Sequence, residues 1–488
     1  MKKYKFLIPI ITLFIMGWLL RPFFHPIVMV LVSSPLRFIF ILTLLYSIWR
    51  FFVKIGIFFE KNGENNYTLR IPPRNNNSAK LYVIALLTLS MLLSLESEIL
   101  FSITANNIKY EKRADVPKFE PLRLTPKAVA KRYADDTFQN PQEYLGDSQI
   151  ILVDGKLKRI FPRLPDGGIL YFLKKLSGFV TVDVDTLERK VDIENAEFKY
   201  ADGIGIFDNI YFQLPLKKYF VSYSKEPIFI KNDEKEWVTI VPYISYRGII
   251  FRVPYWAGVM VVHGDGKIDD LSPEEASNIS YLKGNRIHPK EIVEFYSHSY
   301  AYLGGLINKW FLHENQTEIV SLPGDENIFH VATTEGFKQL VVAEPYGQSY
   351  GIYKIFIFDA TTGKREIIEY DAKSQLTGPI AAADYIKKEF PTYDWNIFNL
   401  SEPRPIKIGD DLYWLLSIIP HDAAGIASTV LLNTRTNVVV DMKNESELKS
   451  FISKGLIPTI KEGDSKAQVN RKIEEIERLL LEVKKLVK

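Results

Sequence analysis

Leu340-Val-Val-Ala-Glu-Pro345, followed after a short connection by Gly351-Ile-Tyr-Lys-Ile-Phe-Ile-Phe-Asp359-Ala-Thr-Thr-Gly363, is the stretch on which the fold reading turns. Both segments are short apolar runs rich in β-branched and aromatic residues. The second ends in an Asp/Thr/Gly turn signal, so the pair reads as two strands of an antiparallel sheet. The same plan recurs three times more. Ile160-Phe-Pro-Arg-Leu-Pro precedes Gly178-Phe-Val-Thr-Val-Asp-Val-Asp185, and Val238-Thr-Ile-Val-Pro242 precedes Gly258-Val-Met-Val-Val-His-Gly-Asp265-Gly. Leu415-Leu-Ser-Ile-Ile-Pro420 precedes Gly425-Ile-Ala-Ser-Thr-Val-Leu-Leu-Asn433. The turn residues Asp185, Asp265, Asp359 and Asn433 are 80, 94 and 74 residues apart, too far for a solenoid repeat and suited to small domains in series, each with its own core.

Helix signals fall between these strand pairs. Thr125 is a capping residue and Pro126 suits a first helical turn, after which Val129, Arg132 and Tyr133 carry an amphipathic pattern toward Phe138. Ser272-Pro-Glu-Glu275 has the form of a capping box, and a helix is expected from Pro379 to Phe390. The longest expected helix of the body is Pro289 to Trp310, weakened by Gly304-Gly305; it reads as core between modules, or more sharply as a membrane-surface or partner-docking helix. In the fourth unit the helix-then-hairpin order, and in the third the ending Phe358-Asp-Ala-Thr-Thr-Gly-Lys364, resemble the PepSY type of domain, mainly over residues 340–441. The first unit departs from that pattern, with Leu187-Glu188 in place of the glycine. The resemblance implies a helix on a small antiparallel sheet, and roles in peptidase inhibition, propeptide function or assembly.

Ahead of the body the composition changes. Phe6 to Leu20 is uncharged and preceded by Lys2, Lys3 and Lys5; no small-residue cleavage site follows, so a retained anchor is favoured over a signal peptide. A second span has two open registers, Ile27 to Trp49, which contains Pro35 and Arg37, or Leu36 to Phe59. A third runs from Leu81 to Leu95, extendable to Phe101 if Glu96 and Glu98 lie at the far interface. Residues 1–80 carry 11 basic and 2 acidic side chains, and residues 81–488 carry 50 and 56, so the overall charge of +3 hides a basic front and a mildly acidic body. The positive-inside rule then puts the N-terminus and residues 50–80 in the cytoplasm and the body outside; a buried hairpin of a soluble protein is the competing reading.

The absence of cysteine excludes disulfides, thiolate metal sites and cysteine nucleophiles. The seven histidines form no HExxH or HxH pair, and the nucleophile-elbow and phosphate-loop motifs are missing. His298 and His313 are too far apart to be adjacent ligands, and His421-Asp422 sits in an expected loop. His263-Gly-Asp-Gly-Lys-Ile-Asp-Asp270 lacks the ligand spacing of a calcium loop. Dispersed basic residues on a net-negative body speak against nucleic acid.

The expected fold class is therefore α+β: N-terminal transmembrane helices in 1–102, a linker over 103–124, tandem small antiparallel-sheet-plus-helix modules over 125–455, and a C-terminal coiled-coil-like helix over 466–488. In that last segment Val469, Ile473, Ile476, Leu480, Val483 and Val487 fall on alternating a and d positions, an oligomerisation seam of under three heptads. The functional expectation is a non-enzymatic, membrane-anchored scaffold or interaction protein without a cofactor. Its expected partners are the lipid bilayer, other membrane or envelope proteins and further copies of the chain. The alternative is a PepSY-like regulator, inhibitor or assembly chaperone of an envelope enzyme.

Overall fold

The first helix does not stop where its first apolar run stops. In the computed structural model, which describes residues 7–55, 58–61, 67–70, 77–320, 327–347, 351–370 and 376–454, α1 (Leu7–Ser33) continues through Arg21, Pro22 and Pro26. It breaks at Ser34, where the chain bends by 99° into α2 (Pro35–Ile55). A hairpin of β1 (Phe58–Lys61) and β2 (Tyr67–Arg70) leads to α3 (Asn77–Ser94), and a second bend of 50° leads to α4 (Glu96–Asn107). The expectation of N-terminal transmembrane helices is corrected here: among the described residues no single helix is long and apolar enough to cross a membrane, and only the two bent pairs pass by length and composition. The cause is in the side chains at the bends. Pro35 cannot donate the bond that would continue α1. Glu96, expected at an interface, is 5 % exposed and accepts a 2.7 Å hydrogen bond from Ser34 Oγ. Arg37 Nε lies 3.7 Å from the same carboxylate, so the two bends are fastened to each other.

Residues 108–126 form a strap that crosses the body before entering it. Its strand β3 (Glu111–Lys112) pairs in parallel with the third sheet, Val116 and Phe119 enter the core between the third and fourth sheets, and Leu124 lies under the fourth.

From α5 (Lys127–Thr137) onward one plan is used four times. Two short strands pair end to end along one long strand, which is followed by an antiparallel meander. The first sheet has β4 (Glu143–Leu145) and β5 (Gln149–Val153) on β6 (Lys156–Pro165), and then, after α6 (Leu170–Leu173), β7 (Leu176–Asp183) and β8 (Val191–Phe198). After α7 (Ile210–Lys217) the second has β9 (Ser222–Tyr223) and β10 (Ile228–Lys231) on β11 (Trp237–Arg247), then β12 (Val253–Val262) and β13 (Ile268–Leu271). The capping box forms as α8 (Pro273–Asn278), and α9 (Lys290–Tyr300), α10 (Gly305–Ile307) and a π-helical turn (Asn308–Leu312) follow. The third sheet sets β14 (Thr317–Ile319) and β15 (Phe329–Thr333) on β16 (Gly336–Pro345). Short β17 (Gly351–Ile352) precedes β18 (Lys354–Asp359) and β19 (Arg365–Glu369), and β20 (Leu376–Thr377) pairs back with β17. After α11 (Pro379–Glu389) the fourth sheet sets β21 (Phe398–Leu400) and β22 (Arg404–Ile408) on β23 (Asp411–Pro420), then β24 (Ser428–Asn433), β25 (Val439–Met442) and α12 (Glu445–Lys454).

The expected series of self-contained modules is also corrected, because the three largest cores are shared between sheets, while smaller ones stay within a unit, under α7 in the second and α12 in the fourth. Ile160 and Phe179 of the first sheet share a core with Ile240 and Val261 of the second, while Leu340 and Ile357 of the third share one with Trp414 and Leu432 of the fourth. Phe161, Phe337 and Ile419 join the first, third and fourth sheets. Glu445 of α12 accepts from Thr186 Oγ1 and from Leu187 N, each at 2.7 Å, which ties the last unit back to the first. The result is one sheet-rich body. A long strand with apolar residues on both faces, as in β11, can be buried only if another sheet or a helix covers each face. The coiled-coil-like segment 466–488 lies outside the described residues.

Candidate functional site

The helix pairs meet the body along α7, α9 and the loops beside them, and these segments define the candidate site. Arg21 Nη2 donates to Leu216 O at 2.6 Å, and Tyr219 OH donates to Arg21 O at 3.0 Å. Phe23 meets Phe212 edge-on at 5.2 Å, and His25 Nε2 lies 3.0 Å from Val221 O. Farther along α1, Arg252 Nη1 donates to Val32 O at 2.7 Å. On α4, Phe101 packs on Phe295 and Tyr302, and Trp310 Nε1 donates to Glu98 Oε2 at 2.7 Å. Carbonyls and aromatic edges hold the arginines and rings at this junction, and the remaining outward surface is apolar.

That surface is extensive. Phe23, Phe24 and Ile27 of α1, Ile41, Leu42 and Leu45 of α2, and Ile84, Leu87 and Met91 of α3 are all exposed. The gripping loops add to it. Phe207, which stacks edge-on against the Phe212 that touches α1, is exposed, and so is Phe220, next to Tyr219. Ile249, two residues from the turn that sends Arg252 to α1, is 90 % exposed. Phe311, next to Trp310, is 73 % exposed, and Ile307 and Leu312 accompany it. The α6 turn joins the same region through Tyr171 O, which accepts from Gly205 N at 2.6 Å, and there Ile169, Phe172 and Leu173 face outward. Backbone geometry enforces one of these projections: Gly248 has φ +115, and a Cβ there would lie 2.3 Å from Phe251 O, so the turn that thrusts out Ile249 and Ile250 needs glycine. Burying a side chain of this size contributes about 1.5–3 kcal/mol, so leaving many of them in water together is costly.

The helical segment expected from Pro289 to Trp310 divides at Gly304-Gly305. Ile292 and Val293 of α9 are buried, Val293 in the core under the third sheet, whereas Ile307, Trp310 and Phe311 beyond the glycines belong to the exposed face. None of Ile206, Phe207, Phe220, Ile249, Ile250 and Phe311 stands out by periodicity. The signal available in sequence was apolar pairs next to turn glycines, as in Gly205-Ile-Phe and Gly248-Ile-Ile. The seam residues Val469, Ile473, Ile476, Leu480, Val483 and Val487 lie outside the described residues.

Elsewhere the titratable clusters are occupied by packing. Lys218 Nζ, Tyr243 OH and Asp270 meet within 2.7–2.8 Å, but burial, opposed by Lys218 and reinforced by Asp270, pushes the tyrosine up to about 12, where it neither gives nor takes a proton readily at neutral pH. His263 Nε2 and Lys267 Nζ both hold Asp269 Oδ2 at 3.0 Å in the β12–β13 turn. His313 Nδ1 lies 2.7 Å from Gln316 Oε1, and His421 Nδ1 lies 3.5 Å from Asn399 Nδ2. Among the described residues no group of three or more His, Asp or Glu is arranged to hold a metal ion.

One carboxyl is poised near neutrality. Glu344 and Glu318 stand directly opposite on β16 and β14; burial first, and then the like charge, push Glu344 up to about 7. A carboxyl with a raised folded-state pKa binds a proton in the native state that the unfolded chain has already lost, so stability falls as pH rises from about 4.5 through about 7. Glu344→Gln is expected to raise unfolding stability by about 1 kcal/mol at pH 8, discounted for the partial solvent screening of the site, and to leave it unchanged at pH 5. Chemical denaturation of both proteins at the two pH values reads this directly.

No family model matches the chain, and no curated protein matches it. Solved structures to which it is similar are glycoside hydrolases. A GH43 beta-xylosidase/alpha-arabinofuranosidase from a compost microbial metagenome is 9 % identical with a TM-score of 0.19, over 67 % of this chain and 94 % of that one. The GH43_1 enzyme from Xanthomonas citri is 9 % identical with a TM-score of 0.19, over 64 % and 92 %. An exo-1,5-alpha-L-arabinanase from a bovine ruminal metagenomic library is 9 % identical with a TM-score of 0.15, over 66 % and 83 %. These neighbours are enzymes, but likeness at this level carries no argument about the fold or activity of the present chain.

Proposed function

We propose that the chain is a non-enzymatic, membrane-anchored scaffold or interaction protein. In this reading the bent helix pairs and the apolar loops of the body seat in the apolar layer of a membrane. The sheet body stands at its surface and organises other membrane or envelope proteins, with further copies of the chain recruited through the C-terminal seam. The observation that carries the reading is the coincidence of grip and exposure: the loops that bond to α1 or α4 expose large apolar side chains beside the bonding residue. The basic residues of 50–80 favour a cytoplasmic position for that segment and an extracytoplasmic body.

Flotation tests the reading. The full chain, diluted from detergent into phosphatidylcholine/phosphatidylglycerol vesicles, is expected to rise with them on a density gradient and to stay with them through alkaline carbonate washing. Ile249→Glu with Phe311→Glu is expected to cut the retained fraction several-fold, since a charge at each position must be held in an apolar layer. A chain that remains at the bottom of the gradient, or that emerges from native membranes as a monomer without a companion, overturns the proposal. The helix-then-sheet order of the units favours a second reading as a regulator or assembly chaperone of an envelope enzyme, for which near-stoichiometric inhibition of an envelope protease by the full chain is the expected result.

A further inference from the structure

Four of the 14 asparagines in residues 125–455 stand in the triplet Asn-x-Ser/Thr, with x other than proline: Asn278-Ile-Ser280, Asn315-Gln-Thr317, Asn399-Leu-Ser401 and Asn444-Glu-Ser446. Ser and Thr fill 34 of those 331 positions, so chance supplies one or two such triplets. The triplet is the acceptor for N-linked glycans, and a bulky hydrophilic glycan fits only on an open surface. The fold sorts the four into two kinds. Asn278 and Ser280 are both exposed, and so are Asn444 and Ser446. In the other two triplets the hydroxyl residue is shut in, Thr317 at 1 % exposed and Ser401 at 7 %. Asn399 is itself part of β21, paired with Ile419 of β23, and its Oδ1 is buried.

The two open triplets also share one end of the body. Ser280 Oγ donates to Asp233 Oδ2 in the turn between β10 and β11, at the end of β11 opposite the Gly248 turn that thrusts out Ile249. Glu445, next to Asn444, accepts from Thr186 and Leu187 in the β7–β8 turn, at the end of β7 opposite the exposed α6 turn. Both asparagines therefore lie at the ends of strands away from the apolar face, whereas Asn315 is three residues from Leu312 of that face. Their amides have room for a substituent. Asn444 Oδ1 accepts from Glu447 N at 2.9 Å as the cap of α12, and its Nδ2 has no partner among the described residues, so a glycan on Nδ2 leaves the cap intact. Asn278 Nδ2 donates to Glu274 O at 2.9 Å, a bond that uses one of its two hydrogens and leaves the other to be replaced.

We propose that Asn278 and Asn444 carry N-linked glycans and that Asn315 and Asn399 do not. The inference rests on the extracytoplasmic placement of the body, and its co-reactant is an oligosaccharide held on a polyprenyl phosphate carrier. The asparagine Nδ2 attacks the anomeric carbon of the sugar; the bond from that carbon to the phosphate oxygen breaks as the N–C bond forms, the amide gives up one proton, and the carrier phosphate leaves. The full chain, isolated from the membranes of its native cells and digested, is read by mass spectrometry. Peptides containing Asn278 and Asn444 are expected to carry a glycan mass, and those containing Asn315 and Asn399 the bare peptide mass. Expressed in the same cells, Asn278→Gln and Asn444→Gln each lower the intact mass by one glycan, and the double variant carries none. Glu234→Cys, offered a membrane-impermeant maleimide before and after lysis of those cells, separates the two ways of failing. Bare asparagines at 278 and 444 with the cysteine labelled in intact cells overturn the glycan proposal alone. Bare asparagines with labelling only after lysis overturn the placement of the body and the proposal with it. Glycans at Asn315 or Asn399 in place of the other two contradict the sorting by exposure.

Discussion

Arg404→Met is expected to destabilise the body by about 3–5 kcal/mol, the cost of stripping one partner from a buried charged network. Arg404 is 3 % exposed and donates to Arg123 O, Leu124 O and, at 2.7 Å, Ser417 Oγ, so it holds the strap 108–126 onto the fourth sheet. It also neutralises Glu402. Burial alone would raise that carboxyl, but Arg123, Arg404 and Arg159 together with the Lys127 N–H hold it below the usual carboxylate range. Methionine keeps the volume, leaves three acceptors short of a donor and removes one of the positive charges that hold the Glu402 carboxylate. If this account is right, Arg404→Met combined with Glu402→Gln recovers part of the loss, which denaturation midpoints of the two single variants and the double variant would reveal. Equal losses in the single and the double variant would mean that only packing and strap contacts matter.

Acid is expected to loosen the joint between the second and third sheets. His288 is fully enclosed, edge-on to Trp256 at 5.2 Å and stacked over Phe358, with its Cδ2 where a Cβ of Gly363 would be 2.7 Å away. Burial pushes its imidazole down to about 4; Arg365 adds to the effect, while Gln339 and Asp359 oppose it. The unfolded chain takes up a proton near pH 6.5 that the native state refuses until about 4. The stabilising contribution is therefore complete above about 6.5 and is lost as pH falls, by about 3 kcal/mol across the window. His288→Gln should flatten the slope of stability between pH 7 and pH 5. An unchanged slope would place the acid sensitivity in another group.

What could be read from sequence was local. The proline-bearing runs at Pro162, Pro242, Pro345 and Pro420 lie on β6, β11, β16 and β23, the long strand of each sheet, because β-branched runs bounded by turn residues carry their own signal. Ser272-Pro-Glu-Glu275 forms both halves of its capping box for the same reason. The turn at Asp359 is explained by its residues, since Oδ1 accepts from Thr361 N and Thr362 N, but the role of Gly363 is not, because what it makes room for is a histidine 75 positions earlier. Long-range pairing is what the sequence hides. Nothing about Glu96 in its own neighbourhood indicates that it will be buried against Ser34; of the spans read from hydropathy, the Ile27 to Trp49 register and the extension of the third span to Phe101 cross the two bends, whereas the Leu36 to Phe59 register starts beyond the first. Cores shared between sheets escape notice for the same reason: the alternation of one strand says which faces are apolar, not what covers them. The exposed face was half legible. Its helical part is an apolar run, whereas its loop part consists of single pairs such as Ile249-Ile250 whose exposure depends on the turn geometry around them.

The most direct test of the membrane reading uses the lack of cysteine. Single cysteines replace Ile249, Phe311 or Glu234 in the otherwise cysteine-free full chain, and each is labelled with an environment-sensitive fluorophore after reconstitution into lipid nanodiscs. Glu234 lies in the turn at the other end of β11 from Ile249, a strand of 11 residues and so roughly 35 Å away. Lipids carrying a quencher on their acyl chains are expected to quench the probes at 249 and 311 strongly and the probe at 234 hardly at all. Equal quenching at the three positions, or none at 249 and 311, would contradict the assignment of this face to the membrane.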